Sequence, residues 1–317
     1  MSRLGRRSFL SGTAAAGLLA ACGGGADPTT SQAVGTSGDG SGAGDAAESS
    51  LALQVAQLFS NDPVIGAMDQ QRVPFALIGG DGVLRGDHAP AMVRTVDPDG
   101  AVIDEQAVRA RVAAHTHAAE DPGHAHPDSF RYYAPRIDFA SPGRHQLVID
   151  APEGSGRLPV DVYEPTALAL PHRGTTFPSL VTPTVEQAAG VDTICTRSPA
   201  CDFHRRSVDA VLGAGEPCVL LIATPAYCQT QFCGPVLDVL IEAAPRVPTI
   251  HVEVWANPAE VGGNIADPAI RPAPTISQLG LTFEPSLFVV DGVGRVQERL
   301  DNLFDAEELA AAIALVG

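Results

Sequence analysis

Lysine is absent from this chain. All 20 basic residues among its 317 are arginine, so chemistry that runs through a lysine Schiff base is excluded outright. The basic residues are outnumbered by 37 Asp and Glu, which leaves a net charge of −17. A chain that acidic does not hold nucleic acid by a phosphate footprint. No run of apolar residues is long enough to span a bilayer. A phosphate-binding glycine loop is also missing. The glycines at 23–25 and 35–43 sit in a polar, low-complexity stretch, and Gly262-Gly263 lacks a strand–turn–helix setting. No serine-hydrolase elbow stands out either. Aromatic residues are few, at 5%, but the apolar content of 45% and the length allow two domains with substantial cores.

What is present begins with an export signal over residues 1–22. Arg6-Arg7-Ser8-Phe9-Leu10 resembles the twin-arginine motif, and the apolar run Ala14 to Ala21 follows it. Leu19-Ala20-Ala21-Cys22 resembles a bacterial lipobox, which implies lipidation of Cys22 and anchoring to a membrane surface. Removing this leader takes three arginines with it and moves the net charge from −17 to −20. The compartment implied is extracytoplasmic and oxidising. Residues 23–50, rich in Gly, Ser, Ala, Thr and Asp, cannot bury a core and read as a disordered tether.

Residues 51–166 alternate short β-type runs with turn clusters. The runs are Val73 to Ile78, Ala91 to Val96, Arg131 to Phe139, His145 to Ile149 and Leu158 to Tyr163. Gly80-Asp81-Gly82, Asp97-Pro98-Asp99-Gly100 and Ser141-Pro142-Gly143 mark turns. The pattern predicts an all-β, immunoglobulin-like sandwich. Residues 167–207 follow as a connecting segment, proline-rich at first, that is expected to wrap the next domain.

The remaining residues, 208–317, are organised around Pro217 to Leu240. Cys218 to Ala223 is a continuous apolar run that suits a strand buried on both faces. Tyr227-Cys228 ends a short loop, Cys233 comes five positions later, and Gly234-Pro235 opens an amphipathic helix. Thr249 to Trp255 and Leu287 to Val290 read as further strands, the latter preceded by Glu284-Pro285-Ser286. Asp291-Gly292-Val293-Gly294 turns into Arg295 to Leu300, and Asp305 with Glu308 forms a capping box for a helix over 306–315.

This series resembles the thioredoxin superfamily, with an α/β thioredoxin-like domain at the C-terminus of a two-domain chain. The resemblance implies thiol–disulfide oxidoreductase or electron-transfer activity without a cofactor. Cys228 would be the attacking thiolate and Cys233 its resolving partner. Pro285 would be a cis-proline shaping the substrate groove, and Tyr227 would pack beside the nucleophile. The partner implied is a cysteine-containing extracytoplasmic protein. The spacer departs from the family, which has two residues between its cysteines where this chain has four. In a regular helix residues five apart lie roughly 8–9 Å from each other, and a disulfide needs Cα atoms within about 7 Å. The pair therefore closes only if Cys228 lies in the loop and the helix starts near Cys233.

Other readings stay open at this level. Sco-type copper-assembly proteins share the anchor and a nearby cysteine pair, which makes a copper-binding metallochaperone the alternative. A non-catalytic scaffold with structural disulfides is a second. Cys195 and Cys201 read as a structural disulfide, and Cys218 as a core residue. His251 falls in a strand and reads as a core or edge histidine. His115, His117, His124 and His126 form two His-x-His pairs that are weak metal candidates in a solvated loop.

Overall fold

The computed structural model describes residues 52–85, 89–114, 129–228 and 230–317. The leader, Cys22 and the segment 23–50 lie outside the described residues, as do His115, His117, His124 and His126.

In chain order the strands of the first half are β1 (Gln54–Gln57), β2 (Gln71–Arg72), β3 (Phe75–Gly79), β4 (Gly82–Val83), β5 (Ala91–Val96), β6 (Val102–Val108), β7 (Arg111–Ala114), β8 (Ser129–Tyr132), β9 (Arg136–Ile137), β10 (Gly143–Ala151) and β11 (Gly154–Val162). They pair into sheets of order β1-β3-β4 and β11-β10-β5-β6, with two-stranded ribbons β2-β9 and β7-β8. Period-two alternation sets which side chains go inward. Along β10 and β11, His145, Leu147, Ile149, Leu158, Val160 and Val162 are buried, with more exposed residues between them. The apolar ones share one core with Phe75 and Leu77 of β3 and Val93 of β5.

The second half contributes α1 (Val208–Gly213), β12 (Cys218–Ile222), α2 (Cys233–Ala243), β13 (Thr249–Val252), α3 (Pro274–Leu279), β14 (Ser286–Val290), β15 (Val296–Asp301) and α4 (Ala306–Ile313). One sheet forms, of order β13-β12-β14-β15. β12 runs parallel to β13 and antiparallel to β14, and β14 is antiparallel to β15. Every residue of β12 and β14 is buried, as their unbroken apolar sequences require for a sheet covered on both faces. Val219 and Leu221 face α2 and α4, while Leu220 and Ile222 face a second cluster that includes α1, α3 and residues of the segment 170–191. That segment is irregular but anchored: Gly174 and Phe177 donate to the carbonyls of Val296 and Gly294; further along, the Phe203 carbonyl accepts from the His251 N–H.

The expected fold class is corrected. Among the described residues strand accounts for 33% and helix for 14%, spread over several small sheets and four α-helices. This is a mostly β body, not an immunoglobulin-like sandwich joined to an α/β thioredoxin-like domain. Helix is scarce because α1 and α3 have six residues each, α1 ending at Gly213 and α3 at the left-handed Gly280. The described residues from 52 onward belong to one compact unit. Polar side chains stitch the two halves together. Arg72 of β2 makes a two-pronged ion pair with Glu308 of α4, at 2.7 and 2.9 Å, and donates to the carbonyls of Asp301 and Leu303. The Tyr132 hydroxyl donates to the same carboxylate at 2.6 Å. Arg299 of β15 reaches the Val64 carbonyl, and Asn302 reaches that of Leu58.

Candidate functional site

The loop between β12 and α2 carries the disulfide. Its entry is fixed by Thr224, a buried residue whose hydroxyl accepts from the Val254 N–H at 2.8 Å and whose carbonyl accepts from Tyr227. Its exit is fixed by α2, which starts at Cys233 itself. Gln231, with φ of 63°, takes the left-handed turn just before. Cys228 therefore lies in the loop and Cys233 opens the helix, the arrangement that a four-residue spacer demands. Their Cα atoms are 5.9 Å apart and the disulfide is closed.

The two sulfurs have different surroundings. Cys228 is half-buried, whereas Cys233 is fully buried beneath α2. The Cys233 backbone N–H points at Cys228 Sγ from 3.3 Å. The N-cap residue, Phe232, makes no side-chain cap, so the Cys233 N–H and the positive end of the α2 dipole face the loop. Both features stabilise a thiolate on Cys228 once the bond is reduced.

Two residues come from the segment entering β14. Ser286 pairs with Ile222, a register that brings Glu284 and Pro285 alongside the loop. The Glu284–Pro285 bond is cis, as the resemblance implied for Pro285. Glu284 is buried, and its Oε2 lies 3.3 Å from Cys233 Sγ. Thr230 ties this segment to the loop, its hydroxyl donating to the Glu284 carbonyl at 3.2 Å and lying 3.4 Å from Cys228 Sγ. Tyr227 stands beside Cys228 and packs on Gly263. A Cβ at position 263 would meet the tyrosine ring at 2.7 Å. Glu284 is the neighbour of the disulfide to which the sequence assigns no role; its position one residue before Pro285 is the available signal.

No protein-family model matches this chain, and no curated protein matches it significantly.

Cys195 and Cys201 do not form the expected disulfide. They are free thiols with sulfurs 3.8 Å apart, too far for a bond of about 2.05 Å. The two histidines that crowd them explain the difference: His204 and His251 bring ring nitrogens to the same point. The hydrogen bond from Cys201 holds the Cys195 thiol below its ordinary range, and the same contact pushes Cys201 up. His251 is completely buried, and burial pushes its pKa down, which keeps the imidazole neutral. His251 is thus a core histidine, but with cysteine company that the sequence did not announce. Cys218 is buried at the start of β12, where burial pushes its thiol up to about 12 and leaves it inert.

Proposed function

We propose that this protein exchanges electrons with a partner's cysteines through Cys228 and Cys233. It would do so at an extracytoplasmic membrane surface, held there by lipid on Cys22. The observation that carries this reading is the asymmetry of the disulfide. One sulfur is reachable and lies at a helix N-terminus, and the other is buried against a carboxyl group.

The steps balance as follows. A partner thiolate attacks Cys228 Sγ, and the Cys228–Cys233 bond breaks. Cys233 leaves as a thiolate beside Glu284, which in its protonated form delivers the proton the sulfur needs. A second partner thiolate then attacks the partner sulfur of the mixed disulfide and releases the Cys228 thiolate, which the α2 N-terminus stabilises. The partner loses two electrons and gains a disulfide; this protein gains two electrons and ends as a dithiol. Pro285 and Tyr227 would border the surface on which the partner chain lies.

Copper carriage is less well supported. Cys228, Cys233 and Glu284 bring three donor atoms within 4.8 Å of one another, but His251 belongs to the other cysteine cluster.

Trapping tests the redox reading. Cys233→Ser should accumulate mixed disulfides through Cys228, and Cys228→Ser should accumulate few. After reduction of the wild type, an alkylating reagent at neutral pH should label Cys228 well before Cys233. A stapling disulfide would behave otherwise. Its potential would lie below about −300 mV, neither variant would capture a partner, and both would lose about 2–4 kcal/mol of stability. That set of results would end the oxidoreductase proposal.

A further inference from the structure

Cys195, Cys201 and His204 come from the irregular segment that precedes α1, and His251 comes from β13, the edge strand of its sheet. Their four donor atoms lie within 4.8 Å of one another. Cys201 Sγ is 3.8 Å from Cys195 Sγ, 3.3 Å from His204 Nε2 and 3.5 Å from His251 Nδ1. His251 Nδ1 is 3.2 Å from His204 Nε2 and 4.0 Å from Cys195 Sγ.

These separations have a simple interpretation. Zinc binds thiolate sulfur at about 2.3 Å and imidazole nitrogen at about 2.0–2.1 Å in tetrahedral geometry. The edges of such a tetrahedron are about 3.8 Å between sulfurs, about 3.5 Å between sulfur and nitrogen, and about 3.3 Å between nitrogens. All five measured edges fall within about half an ångström of these values.

The surroundings fit too. His251 Nε2 is 2.9 Å from the Ala223 carbonyl, which can only accept. The proton of the neutral ring therefore sits on Nε2, and the Nδ1 lone pair faces the cluster. This is the usual orientation of a metal-binding histidine held by a backbone carbonyl. The Cys201 N–H lies 3.4 Å from Cys195 Sγ and supports negative charge there. Two thiolates and two neutral imidazoles around a divalent cation sum to zero charge, as a site half-closed to water favours.

We propose that Cys195, Cys201, His204 and His251 form a structural zinc(II) site. The metal would fasten the irregular segment to β13, the edge strand that already meets it through the His251 N–H and the Phe203 carbonyl. Binding expels the two thiol protons and involves no electron transfer.

The test uses the purified full chain, treated with reductant and chelator and then titrated with zinc against a chromophoric competitor. One zinc per chain should bind. Cobalt(II) in its place should give the intense visible bands of a tetrahedral site and a thiolate-to-cobalt charge-transfer band. Cys201→Ser and His204→Ala should each lose stoichiometric zinc binding and the charge-transfer or tetrahedral signature. A chain with Cys228→Ser and Cys233→Ser together should keep both. Zinc should raise the melting temperature of the wild type but not of His204→Ala, which tests the site even if Cys201→Ser folds poorly. The proposal is overturned by zinc binding that survives Cys201→Ser but vanishes with the Cys228 and Cys233 substitutions. Saturation by copper(I) with no uptake of zinc, or a reduced wild type that takes up no metal, overturns it equally.

Discussion

Glu284 Oε2 lies 3.3 Å from Cys233 Sγ, at the buried sulfur of the disulfide and not at the accessible one. If the disulfide exchanges with a partner as proposed, a carboxyl group there would serve the thiol that must lose or gain a proton out of water's reach. Glu284→Gln keeps the volume and removes the proton. Initial alkylation of reduced Cys228 should be unchanged, while opening and closing of the disulfide slow by about 100-fold, the lower end for a lost general acid–base. Rapid-mixing kinetics across pH would check this. The wild-type rate should carry a limb from the carboxyl group that the Gln variant lacks. Equal pH profiles would reduce Glu284 to a packing residue.

Arg72 and Glu308 make the second prediction, about the join between the two halves of the chain. Both side chains are only 5% exposed. Burial alone would push the Glu308 carboxyl up, but the Arg72 charge, its hydrogen bonds and the Tyr132 hydroxyl outweigh it and hold Glu308 below the ordinary carboxylate range. A carboxyl depressed in the folded state contributes stability above its unfolded pKa of about 4.3. That stability is lost as pH falls through the folded value. Arg72→Met leaves a buried carboxylate unpaired and should cost about 3–5 kcal/mol at pH 7. Denaturant titrations should show the gap between variant and wild type narrowing as the solution is acidified below about pH 4. A constant gap would mean that Arg72 acts by packing alone.

The same pair shows where the sequence stops being readable. The strands β12, β14 and β15 and the helices α2 and α4 stand where apolar runs, Gly234-Pro235 and Asp305 put them, because period and capping are local properties. Half of the expected capping box forms: the Asp305 side chain accepts from the Glu308 N–H. The Glu308 side chain does not reach back, since Arg72 and Tyr132 hold it. Nothing local announces a partner 236 residues away. Composition shifts suggest separate domains, and contacts of this kind across them are not visible in composition. The cysteine spacing at Cys195 and Cys201 reads as a staple, yet the two thiols are free. The deciding residues, His204 and His251, are brought together by a strand edge, not by a motif.

Gly262 and Gly263 give a matched pair. Both have positive φ, at 61° and 78°. A Cβ on Gly262 meets nothing within 4 Å, whereas one on Gly263 meets the Tyr227 ring at 2.7 Å. Gly262→Ala should cost only the backbone strain of a left-handed alanine, about 1 kcal/mol. Gly263→Ala should cost more and also displace Tyr227, changing the alkylation rate of reduced Cys228 in the neighbouring position. Thermal melts and thiol labelling of the two variants side by side would check it. If both label like wild type, Tyr227 has no part in presenting Cys228.

Cys22 makes the last prediction, and it tests location independently of redox chemistry. The sequence Leu19-Ala20-Ala21-Cys22 follows a twin-arginine-like leader and precedes a stretch rich in small and polar residues. A lipidated cysteine at that place would hold the protein by its acyl chains, since stable anchoring takes more than one such chain and the acidic net charge offers no attraction to anionic lipid. Cys22→Ala should therefore move the exported protein from the membrane pellet to the soluble fraction, with unchanged melting temperature and unchanged labelling of Cys228. Replacing Arg6 and Arg7 by lysine should act one step earlier and leave unprocessed precursor inside the cell, so the two variants separate export from anchoring. Membrane binding of Cys22→Ala equal to that of wild type would sink the lipoprotein assignment. It would leave the disulfide chemistry to stand or fall on the trapping of Cys228.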